Sequence, residues 1–185
     1  MSEEYVVKVL KIDFLTHNVK KFITEKPLNY SFKPGQATSV SINDESLKNE
    51  KRPFTFTSKP GDVFLEFIIK KYSNGITEKI HDLKQGQELI IGEAFGYFDY
   101  KGEGYFIAGG TGITPFLSIF RNLKAEEVEK NKLFFSNKTH QDIICENELT
   151  KMLKENVLFL LTNEKRENYF SERINKDFLK NKITD

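Results

Sequence analysis

The chain has 185 residues, enough for one large domain or two small ones with a sizeable core. Its 28 Lys+Arg and 27 Asp+Glu leave a net charge of +1, which argues against a polyanion-binding surface. A hydrophobic content of 38% with 17 Phe and 7 Tyr argues against disorder. Cys145 is the sole cysteine, which excludes an internal disulfide and a cysteine-ligated iron–sulfur cluster within this chain and fits a reducing compartment.

The start, Met1-Ser-Glu-Glu-Tyr5, carries acid where an export signal carries positive charge. Candidate strands follow at Tyr5–Ile12, Gln36–Ile42, Arg52–Thr57, Val63–Lys70 and Glu88–Gly92, rich in Val, Ile, Phe and Thr. Pro34-Gly35, Pro60-Gly61 and Asn74-Gly75 mark turns between them. Only Thr77–Leu83 has a helical rhythm in this half, so the pattern predicts an antiparallel barrel or sandwich up to about Tyr100. Asp99–Glu103 is the natural linker.

From Gly104 the rhythm changes. Tyr105–Ala108, Lys132–Phe135 and Val157–Thr162 are short apolar strands. Pro115–Lys124, Cys145–Glu155 and Ser171–Leu179 carry helical spacing. Strands alternating with helices predict parallel pairing with crossover helices. The longest uncharged stretch, Gly104–Phe120, is broken by glycines and Pro115 and is too short to cross a bilayer. The chain is therefore expected to be cytoplasmic, without membrane insertion and without nucleic acid as a partner, and to be a monomer.

Two motifs carry chemistry. Gly109-Gly-Thr-Gly-Ile-Thr-Pro115 follows an apolar strand and opens an amphipathic helix. Glycines there let the backbone approach a phosphate, Thr114 is placed to cap the helix, and Pro115 suits its first position. No Gly-Lys-Ser/Thr follows, so it is not a Walker loop. The second motif is Arg52-Pro-Phe-Thr-Phe-Thr-Ser58. Arg52 is one of four arginines beside 24 lysines, and an arginine next to a ring and hydroxyls suits a pyrophosphate and a flat ligand. The same alternation also describes an edge strand with Phe54 and Phe56 in the core.

Together these segments resemble the ferredoxin–NADP⁺ reductase superfamily, most closely its flavodoxin reductase and cytochrome b reductase branches. Arg52, Phe54, Thr55 and Ser58 fall on that family's flavin strand, and residues 109–115 match its pyridine-nucleotide loop. Phe32–Gln36, Gly92–Phe98 and Leu133–Ile144 with Glu148-Leu149 agree in order and spacing. The resemblance implies an antiparallel Greek-key FAD barrel over residues 1–100 and a Rossmann-like NAD(P)-binding α/β domain over 104–185.

It further implies that Arg52 contacts the flavin pyrophosphate, Phe54 stacks on the isoalloxazine in place of the usual tyrosine, and Thr55 hydrogen-bonds near the flavin N5. Pro53, Ser58 and Ile69 join the FAD-binding set, and Gly75, Ile76 and Thr77 would hold the FAD phosphates. Gly110, Thr111, Gly112, Thr114 and Pro115 would hold NAD(P)H, with Thr55 and Thr111 as catalytic candidates. The activity implied is electron transfer from NAD(P)H through FAD to flavodoxin, ferredoxin or another carrier protein. Glu93 stands where the family has proline, and the chain ends at Asp185 before a strand ending in Cys-Gly-Pro. That places a fragment, or a flavin- and nucleotide-binding module without turnover, beside the enzyme as expectations.

Nucleotide choice rests on a few residues. Asn163 stands where NADP-specific members have arginine, and Ser136-Asn-Lys138 resembles the NADH users, which tilts the reading to NADH; Lys165 and Arg166 are placed to reach a phosphate. His17, His81, His140 and Cys145 lack metal-ligand spacing, so no metal is expected. Lys48–Arg52 and Lys176–Lys182 read as solvated faces or as a match for an acidic carrier. Cys145 reads as structural.

Overall fold

The computed structural model describes residues 3–96 and 98–183. Chain contacts group into two compact units, Met1–Tyr100 with Thr114–Asn122, and Lys101–Ile113 with Leu123–Asp185.

The first unit is built on six antiparallel strands: β1 (Tyr5–Thr16), β2 (Val19–Glu25), β3 (Ala37–Ile42), β4 (Arg52–Thr55), β5 (Phe64–Lys70) and β6 (Glu88–Phe95). Their order is β4-β3-β6-β1-β2-β5. β1 pairs with β6 over Tyr5–Lys8 and with β2 over Val9–Thr16, with a register shift between Val9 and Lys11. That bulge bends one long strand so that it serves both neighbours. The two outer strands meet where Phe56 bridges Phe67, closing the sheet into the expected barrel. Alternate residues point inward: Val7 and Val9, Val40 and Ile42, Leu65, Phe67 and Ile69, and Leu89 and Ile91 fill the core. Helix α1 (Ile76–Asp82) adds Ile76 and Ile80, and Phe32 stacks on Phe56 at 4.2 Å.

Strand β2 is absent from the sequence expectation. Its buried residues Val19, Phe22 and Thr24 are spaced three and then two apart, which breaks the period-2 signal. Pairing on both sides, with β1 and with β5 over seven positions, makes it a strand. The turn at Lys33–Gln36 needs glycine. Gly35 has φ +87°, and a Cβ there would run into the carbonyl oxygen of Phe98. Tyr97, part of the Gly92–Phe98 segment, lies outside the described residues.

The first unit also holds helix α2 (Thr114–Asn122), whose buried face carries Phe116, Leu117, Ile119 and Phe120. The expected cap at Thr114 is corrected. A 3-10 turn over Gly110–Ile113 occupies the place of the cap, so Thr114 is the first residue of the helix and is buried.

The second unit has a parallel sheet of β7 (Tyr105–Gly109), β8 (Lys132–Asn137) and β9 (Val157–Leu161), in that order. Leu133, Phe134 and Phe135 are all buried, as suits a central strand covered on both faces. Short helix α3 (Ala125–Val128) precedes β8, and α4 (Glu146–Leu153) buries Leu149 and Leu153. Cys145 caps α4 in the left-handed region, φ 54°.

The helix expected at Ser171–Leu179 is instead α5 (Lys176–Lys182). Phe170 pairs with β9, its amide donating to Phe159 O at 3.0 Å, which holds this stretch extended. The Asn175 side chain then starts the helix by accepting from Phe178 N at 2.8 Å. Phe134, Leu160 and Phe178 form a core packed by Tyr105, Phe170 and Leu179. No helix among the described residues is long and apolar enough to cross a membrane.

Candidate functional site

β4 presents the arginine motif. Arg52 begins it with an exposed guanidinium that donates to Lys51 O at 2.8 Å and lies 4.0 Å from Glu50. Pro53 is exposed, whereas Phe54 and Thr55 are half-buried, with Phe54 packed on the edge of the barrel core. Exposed cation, partly open ring and hydroxyl therefore succeed one another along four residues. Phe56 turns fully into the core. The edge-strand reading holds for β4, with Phe56 in the core, and is corrected for Phe54, which stays half-buried at the core's margin.

Beyond Thr55 the strand enters the closing seam. The Thr57 amide donates to Glu66 O at 2.9 Å, and its hydroxyl donates to Glu66 Oε1 at 2.8 Å. Ser58 is buried, and its hydroxyl accepts from Glu66 N at 3.1 Å. Arg121, from α2, donates one nitrogen to Thr57 O at 2.7 Å and to Glu66 Oε1 at 2.6 Å. This part-buried clasp fixes the end of the arginine strand. Sequence reading missed both charged members. The available signal was a carboxylate inside the apolar run Leu65–Ile69, and an arginine on the helix between Phe120 and Leu123. Charges in such settings need partners.

Ile69 is wholly buried in the barrel core, so only its backbone is open to other work, and its carbonyl already meets His81 Nε2 at 2.8 Å. Burial holds the His81 imidazole below its ordinary pKa. Gly75 is the N-cap of α1, where Ile76 is buried. The Thr77 hydroxyl accepts from Tyr72 N at 3.0 Å and so braces the preceding loop.

In the second unit, β7 runs straight into the glycine turn. Gly110 has φ +50°, a conformation that favours glycine. A Cβ at Gly110 or Gly112 would meet nothing within 4 Å, so the glycine side of the turn is open to a ligand. Thr111 is half-buried and Gly112 exposed. Gly109 pairs with Ser136 of β8, which places the turn at the carboxyl end of the sheet. That end is where open α/β sheets bind nucleotides.

At the same end of β9, Leu161, Thr162, Asn163, Glu164, Lys165 and Ser171 line a cavity of about 260 Å³. Glu164 accepts from His140 N at 2.8 Å, and Arg166 lies 3.6 Å from its other oxygen. The Arg166 guanidinium also sits over the Tyr169 ring at 5.8 Å. Burial and a hydrogen bond to Glu146 push the Tyr169 hydroxyl up to about 12. No group of three or more metal-ligating side chains is placed to hold an ion among the described residues.

Residues 106–184 match the family described as the oxidoreductase NAD-binding domain. The chain is 32% identical over 154 residues to NADH–cytochrome b5 reductase 1 of Arabidopsis thaliana, covering 77% of this chain and 54% of that protein. It is 31% identical over 134 residues to NADH–cytochrome b5 reductase 2 of Mycosarcoma maydis, covering 68% and 38%. The chain thus spans about half the length of such curated relatives, or less. Its fold matches a ferredoxin–NADP⁺ reductase from Neisseria gonorrhoeae, solved with FAD and NADP, at a TM-score of 0.86 and 19% identity. That match covers 98% of this chain and 77% of the other. Sequence and fold converge: residues 106–184 form an oxidoreductase NAD-binding domain, and the chain has the fold of the ferredoxin–NADP⁺ reductases.

Proposed function

We propose that this chain is an NAD(P)H-dependent flavoprotein reductase, with FAD on the barrel (residues 1–100) and NAD(P)H on residues 104–185. The observation that carries the reading is the open glycine turn: Gly110 at positive φ and Gly112 facing free space, at the carboxyl end of a parallel strand. Backbone amides of such a turn accept an anion without a side chain in the way. On the barrel, the residues fit an anionic, flat cofactor. Arg52 offers an exposed cation for its phosphates, Phe54 a partly open ring for its plane, and Thr55 a hydroxyl at its polar edge.

When bound, FAD supplies the conversion between two-electron and one-electron transfer. The protein's own part is to hold, orient and shield. Ser58 and Thr57 fix the strand from behind, Gly75, Ile76 and Thr77 shape a second anion contact, and Gly110, Thr111, Gly112, Thr114 and Pro115 form the nucleotide loop. Thr55 and Thr111 are the hydroxyls assigned to the reacting rings. Glu164, beside the cavity at the end of β9, favours the 2′-hydroxyl of NADH over a 2′-phosphate, since a carboxylate repels the extra charge. Names of the relatives add cytochrome b5 to flavodoxin and ferredoxin as acceptors.

An anaerobic titration tests the reading. The purified, FAD-reconstituted chain should bleach near 450 nm with NADH more readily than with NADPH, then reoxidise on addition of one of the three carriers. A folded chain that takes up no FAD overturns the proposal. Bound flavin that neither nucleotide reduces, though dithionite does, overturns the reductase assignment.

A further inference from the structure

Asn137 ends β8, the middle strand of the parallel sheet, and is 6% exposed. Its backbone carbonyl accepts from Thr162 N at 2.9 Å. Its side chain is different: among the described residues neither Nδ2 nor Oδ1 has a hydrogen-bond partner. A buried carboxamide that pairs with nothing is costly, and native chains retain one where something else completes it.

Its place identifies what completes it. Ser136 pairs with Gly109 and Asn137 pairs with Leu161, so Asn137 stands at the carboxyl edge of the sheet, one residue past the level where the glycine turn begins. We infer that the Asn137 carboxamide is a nucleotide contact, its donor and its acceptor both met by a ribose hydroxyl pair of NAD(H). The inference rests on the nucleotide reading above. A phosphate offers acceptors only and leaves Oδ1 unmet, and an apolar ring face meets neither atom. A ribose diol offers a donor and an acceptor side by side. The nicotinamide carboxamide has the same complementarity and is separated from the ribose by experiment.

The test uses the FAD-loaded chain, with NAD⁺ and ADP-ribose as calorimetric probes and with Asn137→Leu beside the wild type. Leucine is close in size and removes both polar atoms. The expected result is about tenfold weaker binding of both probes. The melting temperature of the nucleotide-free variant should be equal to or above that of the wild type, because an unpaired buried amide has gone. A merely structural asparagine would lower stability and affinity together, and that pattern overturns the inference. So does affinity within twofold of wild type in the folded variant. A penalty seen with NAD⁺ but not with ADP-ribose assigns the carboxamide as partner and overturns the ribose.

If Asn137→Leu does not fold, the wild-type side-chain amide resonance reads the same contact. It should shift on saturation with ADP-ribose, and an unmoved resonance overturns the inference. Wild-type protein that binds neither probe overturns the nucleotide reading itself, an outcome distinct from a binding chain indifferent to Asn137.

Discussion

Arg52 and Arg121 show how differently one residue type acts in two settings. The Arg52 side chain is exposed and, among the described residues, meets a neighbouring carbonyl and a distant carboxylate. Its removal leaves the fold intact and takes away a charge-assisted ligand contact of about 1.5–3 kcal/mol. Arg52→Ala should therefore keep the wild-type melting temperature of the apoprotein while losing FAD on dialysis; full flavin occupancy afterwards would refute its role. Arg121 is half-buried against Thr57 and the buried Glu66. Arg121→Ala strands the Glu66 carboxylate, and the expected loss is about 3–5 kcal/mol of stability, measured by urea unfolding. Replacing both members of that pair by apolar residues of similar volume should recover most of it. Glycines divide in the same way. Gly110→Ala meets no atom but strains a turn at φ +50°, whereas a Cβ at Gly112 meets nothing and Gly112→Val projects into the space assigned to the nucleotide. Gly112→Val should impair binding of NAD⁺ and spare FAD, read by calorimetry and flavin content. Equal NAD⁺ affinity in variant and wild type would refute the loop assignment.

At the scale of elements, α1 shows a pH-dependent attachment. Its His81 is buried, donates from Nε2 to Ile69 O of β5, and offers its own carbonyl to Lys20 Nζ of β2 at 2.7 Å. Burial depresses the imidazole pKa in the fold, the hydrogen bond to Ile69 O opposes it, Lys20 and Lys71 add to the depression, and Asp82 acts against it. The unfolded chain then holds more protons than the native one below the ordinary value near 6.5. The stability contributed by neutral His81 is full above that pH and is lost as pH falls through the folded pKa. Thermal melts from pH 8 to pH 5 should decline over this window, and His81→Gln should flatten the decline; a parallel decline in the variant would remove His81 from the explanation. Neither the buried imidazole nor β2 was legible in the sequence. His81 follows a helical pattern that does not reveal which face meets a sheet, and β2 breaks strict alternation because its partners, not its own period, hold it.

On the scale of the whole molecule, each unit has its own core. The barrel centres on residues such as Phe22, Phe56, Phe67 and Ile69. The parallel unit centres on Phe134, Leu160 and Phe178. Phe134→Ala should cost about 3–5 kcal/mol within the second unit. Separate cores let such damage stay local. Loss of nucleotide binding with flavin content retained is the expected outcome, checked by calorimetry and absorbance on the same sample. Loss of both together would show that the units unfold as one.

The sequence by itself determined what is covalent or short-range. Alternation and turn residues predicted five of the six barrel strands, strand–helix alternation predicted the parallel sheet, and the motifs at 52–58 and 109–115 carried the family resemblance. These signals lie within a few residues of one another, so a single chain displays them. Tertiary structure alone decided which of those residues face outward. It sent Ile69 and Ser58 inward while leaving Arg52 exposed, closed the barrel between Phe56 and Phe67, joined Arg121 to Glu66, and left the Asn137 carboxamide buried without a partner among the described residues. Each of these depends on contacts between residues far apart in the chain, where burial removes water and makes the pairing or orphaning of a polar group matter. No local pattern encodes that exchange.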